Sequence, residues 1–242
     1  MKNLIKADLI RISRKWVLYL FLLIPLVMIL FKLQNIKPEN SFDYLNNLSI
    51  YFDYHGCFFF SMASMIAVYG DELRTGAMQT AIGRGLSRTK LILAKFLDCV
   101  ILLFLQFTVL TIFVLITNKA AGIITSGADN LNIVMSALLC GLLPSCSYVA
   151  ISALFIYTMW NAAVGFIAAF GLSILAPIIL GFVKQLLIIN LSDYWIRTLM
   201  DDSLNKFLMG SFDFALLPAI VVYIVLPLAL TVFLFRRKEL EL

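Results

Sequence analysis

Residues Leu91–Thr117 read LILAKFLDCVILLFLQFTVLTIFVLIT. The run is longer than the roughly 20 consecutive apolar residues that carry a helix across a bilayer. Its two charges, Lys95 and Asp98, both stand near its start. It does not alternate apolar and polar residues, as a strand of a membrane β-barrel must over about ten residues. A membrane-spanning helix is the reading left for it.

The neighbouring sequence repeats the pattern. Apolar runs at Trp16–Phe31 and Tyr54–Tyr69 precede it, and Ile133–Met159, Ala162–Ile189 and Ala215–Phe235 follow. Together they predict six spans. The longest must tilt, break or project beyond the lipid. Only Trp160 and Asn161 separate the fourth span from the fifth, which predicts a tight helical hairpin. Pro144, Pro177 and Pro227 are expected kinks, since proline removes one helical hydrogen bond that neighbours must replace. The whole chain agrees: 242 residues, 62% hydrophobic, 14% charged, mean hydropathy +0.97. Soluble domains are about 45–50% apolar and about 25% charged. A water-soluble fold is excluded, and six spans leave little for a second domain. The expected class is an all-α integral membrane protein, one transmembrane domain over residues 1–242.

The basic residues orient it. Lys2, Lys6, Arg11, Arg14 and Lys15 precede span 1; Arg74, Arg84, Arg88, Lys90 and Lys95 surround the loop between spans 2 and 3; Arg236, Arg237 and Lys238 end the chain. These thirteen face the other side's six, Lys32, Lys37, Lys119, Lys184, Arg197 and Lys206. The bias predicts both termini in the cytoplasm of a cell-membrane, multi-pass protein. Residues 1–15 form an expected interfacial helix, with Leu4, Ile5, Leu9, Ile12 and Trp16 at helical spacing among the basic residues. A signal peptide fits less well, because Lys32, Leu33 and Gln34 follow the apolar core where small residues should stand. Outside, 33–53 and 118–132 read as short polar loops. Residues 190–214 carry Asp193, Asp201, Asp202 and Asp213 among Tyr194, Trp195, Leu199, Leu204, Phe207 and Leu208. That segment reads either as an outer amphipathic helix at the membrane surface or as an ordered loop.

Most catalytic chemistry is missing. There is one histidine, His55, with no HExxH and no cysteine–histidine cluster, so no metal site is expected. Cys57, Cys99, Cys140 and Cys146 all fall in expected spans, where they act as small apolar side chains. No GxSxG occurs, and Asp98 is the one acid within an expected span. A charge there is costly. Asp98 either pairs with Lys95, three residues earlier on the same face, or couples span 3 to a neighbouring helix. No P-loop occurs, and Gly83–Lys90 lacks the GK[ST] ending, so the chain is not expected to bind ATP or any other cofactor itself.

The cytoplasmic segment 70–90 reads GDELRTGAMQTAIGRGLSRTK. It is too polar for lipid. Asp71 and Glu72 precede a helix-compatible run, Leu73–Ile82, where acids suit the dipole. Gly83 and Gly85 then stop that helix, and Ser87 can cap span 3. The segment reads as a short surface helix between spans 2 and 3, or as a solvated connector. In span 4, Ala137, Gly141 and Ser145 recur every four residues. Such a small-residue face allows close packing, within the chain or between subunits.

Glu72-Leu73-Arg74-Thr75-Gly76, then Gly85-Leu86-Ser87-Arg88 and Lys95, resemble the first cytoplasmic loop of ABC-2 type permeases, the membrane subunits of a class of ATP-binding-cassette transporters. Those proteins share a Glu-x-x-x-Gly-Thr-like run, a Gly-x-Ser-Arg element and a lysine in the next helix. Thr75-Gly76 reverses the commoner Gly-Thr order. The lead-in helix, six spans, outer segment and basic tail Arg236-Arg237-Lys238-Glu239 extend the likeness over nearly the whole chain. The resemblance implies a coupling helix at 70–90 that docks on a separate ATPase, with Glu72, Arg74, Gly76, Arg84 and Arg88 as contacts. It also implies two ATPase copies that hold ATP and Mg, and a second permease subunit, identical or homologous.

The expected function is therefore export of an amphipathic or hydrophobic cargo such as a peptide, an antimicrobial peptide, a lipid or a drug. Few interior charges argue against a small-ion route, and no polar ring or carbonyl filter points to a channel. The alternative is a non-transporting membrane sensor or assembly factor that recruits a cytoplasmic partner through the same loop. The partners expected are protein and membrane lipid, with no nucleic acid.

Overall fold

The computed structural model describes residues 2–35, 56–120, 127–187, 191–211 and 213–237. His55, Lys37, Lys238, Glu239 and most of the loop expected at 33–53 lie outside the described residues, as does 121–126 in the second outer loop.

Helices make up nearly all of the described structure, with no strand among the described residues. They are α1 (Lys2–Ser13), α2 (Trp16–Asn35), α3 (Cys57–Arg74), α4 (Ala77–Gly83), α5 (Arg88–Ala120), α6 (Gly127–Ser136), α7 (Leu143–Met159), α8 (Ala162–Phe170), α9 (Ala176–Leu187), α10 (Ile196–Leu208), α11 (Leu216–Ile220) and α12 (Leu226–Arg237). Wider π-helical turns join α6 to α7 (Ala137–Leu142), α8 to α9 (Gly171–Leu175) and α11 to α12 (Val221–Val225).

The three prolines expected to kink their helices explain those turns. Pro144, Pro177 and Pro227 would each clash with the carbonyl four residues back, at Cys140, Ser173 and Tyr223. All three of those residues lie in a π turn. The wider turn opens the backbone where the pyrrolidine ring needs room, so the helices continue instead of breaking.

Among the described residues three helices are long and apolar enough to cross a membrane: Arg88–Lys119, Asn130–Met159 and Leu216–Arg237. Trp16–Met28 and Ala176–Leu186 are apolar but shorter. The α3 helix has 18 residues and ends in Asp71, Glu72 and Arg74. Six spans are thus not shown by length and composition alone.

The bundle is built around α3 and α7. The α3 helix packs on α2, α5, α7 and α8, and α7 packs on α8 and α12. Phe60, Met65, Val68 and Tyr69 of α3 meet Val149, Ala153, Ile156 and Tyr157 of α7 in one core with Leu103 and Phe107 of α5. By contrast Phe104, Ile112 and Ile116 of α5, and Ile178, Ile179 and Phe182 of α9, are exposed. Apolar residues on both sides of a helix suit a bundle whose outer surface faces lipid.

The hairpin at Trp160 and Asn161 is present. Trp160 takes the left-handed conformation at φ 54°, and the Asn161 side chain accepts a hydrogen bond from the Ala163 amide at 2.9 Å, capping α8. In 190–214 the chain forms a short 3-10 turn (Leu191–Tyr194) and the amphipathic helix α10. Ile196, Met200, Ser203 and Leu204 are buried, whereas Tyr194 and Leu208 are exposed. Asp213 fastens its end, taking hydrogen bonds from Ser203 (2.8 Å), Lys206 (2.9 Å) and the Ala215 amide (3.1 Å). The Lys206 bond, with help from the other two, holds the Asp213 carboxyl below its ordinary value. Burial beside the bundle pushes Asp201 the other way.

Candidate functional site

The segment between α3 and α5 is an elbow with two glycine corners. Gly76 has φ +67° and Gly85 φ +92°, a region that side chains avoid. At the first corner the Thr75 amide bonds back to Asp71 O (2.9 Å), and the Thr80 amide bonds to Gly76 O (3.0 Å) to start α4. At the second, the amides of Gly85 and Leu86 bond to Ile82 O and Ala81 O, closing α4 in the manner of a C-terminal glycine cap. The Lys90 amide then reaches Ser87 Oγ at 3.4 Å at the start of α5. Met78 is buried and holds α4 against the bundle.

This corrects the expected helix boundary. The sequence predicts a short surface helix over Leu73–Ile82, preceded by Asp71 and Glu72 and with Arg74 in its first turn. Instead those residues form the last turn of α3, and the short helix begins at Ala77. The left-handed Gly76 is the cause, because no helix runs through that backbone geometry.

The shift puts Glu72 inside the bundle, where it is buried. Its Oε1 is 2.5 Å from Lys95 Nζ and also meets the Arg11 guanidinium. Lys95, 2% exposed, lies 2.6 Å from Asp8 Oδ2 as well. Arg11 lies 3.5 Å from Asp8 Oδ1. Helices α1, α3 and α5 thus meet in one charge network, buried except at the partly exposed Arg11. At its edge Lys15 pairs with Asp71 at 2.6 Å and donates to Ala67 O at 2.7 Å. The Lys15 bond holds the exposed Asp71 carboxyl below its ordinary value.

Lys95 does not bond to Asp98. Its ammonium turns to Asp8 and Glu72, and Asp98 is fully buried with neither carboxyl oxygen receiving a hydrogen bond. What lies against it is the carboxyl of Asp8.

The other expected contacts separate. Arg74 and Arg84 are exposed at the two ends of the elbow, with Gly76 between them. Arg88 is occupied: its Nη1 donates to Phe235 O at 2.9 Å, and its guanidinium sits 5.5 Å from the Phe235 ring. Phe235 also stacks on Trp160, 5.5 Å away and 8° from parallel. Arg88 therefore ties the start of α5 to the end of α12, whose Phe235 rests on the α7–α8 hairpin. Ala137, Gly141 and Ser145 are all buried. A Cβ on Gly141 would stand 2.4 Å from a Phe107 ring carbon, so this small face receives α5 of the same chain.

Asp8 and Arg11 are the residues that sequence reasoning missed. The signal was present: Asp8 falls between Leu4 and Ile12 on the apolar stripe of α1, a place where an unpaired acid has no reason to be. Among the described residues no group of His, Cys, Asp and Glu is placed to hold a metal ion. The four cysteines are buried and form no disulfide among the described residues.

No family model matches the chain, and no curated protein does. The functional reading rests on its own residues.

Proposed function

We propose that the chain is the permease subunit of an ATP-binding-cassette exporter, powered by a separate ATPase that docks on the α3–α4–α5 elbow. One observation carries the reading. A short helix is set between two glycine corners, flanked by exposed Arg74 and Arg84, and rooted through Glu72 and Lys95 in the bundle. A force applied to α4 reaches α5 and α1 through fixed charges instead of dissipating in a loop. Such elements can transmit motion because packed interfaces switch between discrete arrangements.

On this reading α2, α3, α5, the joined α6–α7, α8–α9 and α11–α12 are the six spans. The α1 helix lies at the cytoplasmic membrane surface and α10 at the outer one. Both termini are cytoplasmic, as the thirteen-to-six basic bias requires. The ATPase contacts are Arg74, the Gly76 corner and Arg84, while Glu72 and Arg88 act inside the permease. ATP and Mg belong to the partner, present in two copies with a second permease subunit, and the cargo is amphipathic or hydrophobic.

Labelling of single cysteines tests the topology. A cysteine at the exposed Asn205 on α10 should react from outside, and one at the exposed Gly83 only from the cytoplasm. The reverse pattern overturns the arrangement.

A further inference from the structure

The charge network does not balance as it stands. Asp8, Glu72 and Asp98 bring three carboxyls; Lys95 and Arg11 bring two cations. The side chain of Asp98 is fully buried and accepts no hydrogen bond, and the carboxyl of Asp8 is set against it. Two ionised carboxylates cannot remain in contact away from water, because each is desolvated and each repels the other. Other groups facing Asp98 offer no relief. Glu72 comes from α3, Cys99 from α5 itself, and Tyr157 from α7. None of these brings a positive charge. Leu226–Phe235 of α12 has no ionisable side chain.

We propose that Asp98 and Asp8 bind one proton between them, so that the network is a proton-binding site that joins α1 to α5. Protonation forms an O–H bond on one carboxyl, which donates to the other across the gap. Three carboxyls less one proton then match Lys95 and Arg11 in charge. Release passes the proton to water and leaves two carboxylates face to face, which drives α1 away from the bundle. The site does not depend on the transport reading, because it follows from the charge count and from the burial of Asp98.

Infrared spectroscopy of the whole protein, purified in detergent, reads the proton directly. The wild type should show the carbonyl stretch of a buried protonated carboxyl at neutral pH, and the band should fade as the pH is raised. Asp98→Asn and Asp8→Asn each leave two carboxylates for two cations, so each should lose the band. Asp98→Asn should also keep the wild-type melting temperature at neutral pH and lose its decline at alkaline pH. The double variant Asp8→Asn/Asp98→Asn leaves one carboxylate for two cations and should melt well below either single variant. If Asp98→Asn fails to fold, the band in the wild type and its loss in Asp8→Asn still decide. Absence of the band from the wild type at neutral pH, or its persistence in both single variants, overturns the proposal.

Discussion

Lys95 Nζ and Glu72 Oε1 meet at 2.5 Å although they are 23 positions apart and the whole of α4 lies between them. The contact closes the elbow at its base. Removing the cation leaves three acids beside Arg11 alone. Lys95→Ala is expected to destabilise by about 3–5 kcal/mol, the range for a buried ion pair that loses one partner. Thermal unfolding in detergent measures it, and a loss under about 1 kcal/mol would show that the pair is solvated.

The Gly141–Phe107 approach gives a second test. Any side chain at Gly141 must displace the Phe107 ring, whose nearest carbon would lie 2.4 Å from the new Cβ. Gly141→Ala should cost about 1–3 kcal/mol through overpacking. Phe107→Leu in the same chain should recover part of that loss. Rescue only by a change in another subunit would assign the small face to an intersubunit contact.

Arg88 is expected to act on stability, not on partner binding. Its bond to Phe235 O and its place over the Phe235 ring hold the end of α12. Arg88→Ala should remove about 1–3 kcal/mol. Fluorescence of Trp160, which stacks on Phe235, should report the loosening. Unchanged Trp160 emission alongside weakened partner binding would return Arg88 to the docking surface.

Acid should loosen α10. Lys206 holds Asp213 below its ordinary value of 3.8. A carboxyl depressed in the folded state stabilises above its unfolded value, and that stabilisation disappears as the pH falls through the folded one. Protease cleavage near α10 should therefore rise as the pH drops below about 4, the unperturbed carboxyl range. Asp213→Asn should be cleaved at that higher rate at neutral pH already, with a flatter acid dependence.

How far the sequence carried this picture depended on how local the signal was. The hairpin needed only Trp160 and Asn161, and the three prolines marked the turns where π geometry appears. Composition revealed the apolar helices. The α3–α4 boundary was misplaced because Leu73–Ile82 is helix-compatible throughout. The left-handed corner at Gly76 cannot be distinguished from an ordinary helical glycine by spacing. The charge network was hidden for a different reason. Lys95 and Asp98 are three apart on one helix and suggested each other, whereas Lys95 takes Asp8, 87 positions away. Burial decided that choice, and burial is a property of the assembled bundle.

The central claim is that a separate ATPase grips α4, and co-purification from membranes that carry the candidate ATPase tests it most directly. Arg74→Ala and Arg84→Ala should each weaken retention, since truncating one member of a desolvated charge pair costs about 2–5 kcal/mol. Gly76→Pro should abolish it, because proline is fixed near φ −65° and this corner stands at +67°. In all three, membrane insertion and the melting temperature of the bundle should stay near wild type for the arginine variants and fall only modestly for Gly76→Pro. Loss of retention with the bundle intact is the predicted result. Full retention and full cargo-stimulated hydrolysis in all three variants would contradict the account and leave the elbow a solvated connector.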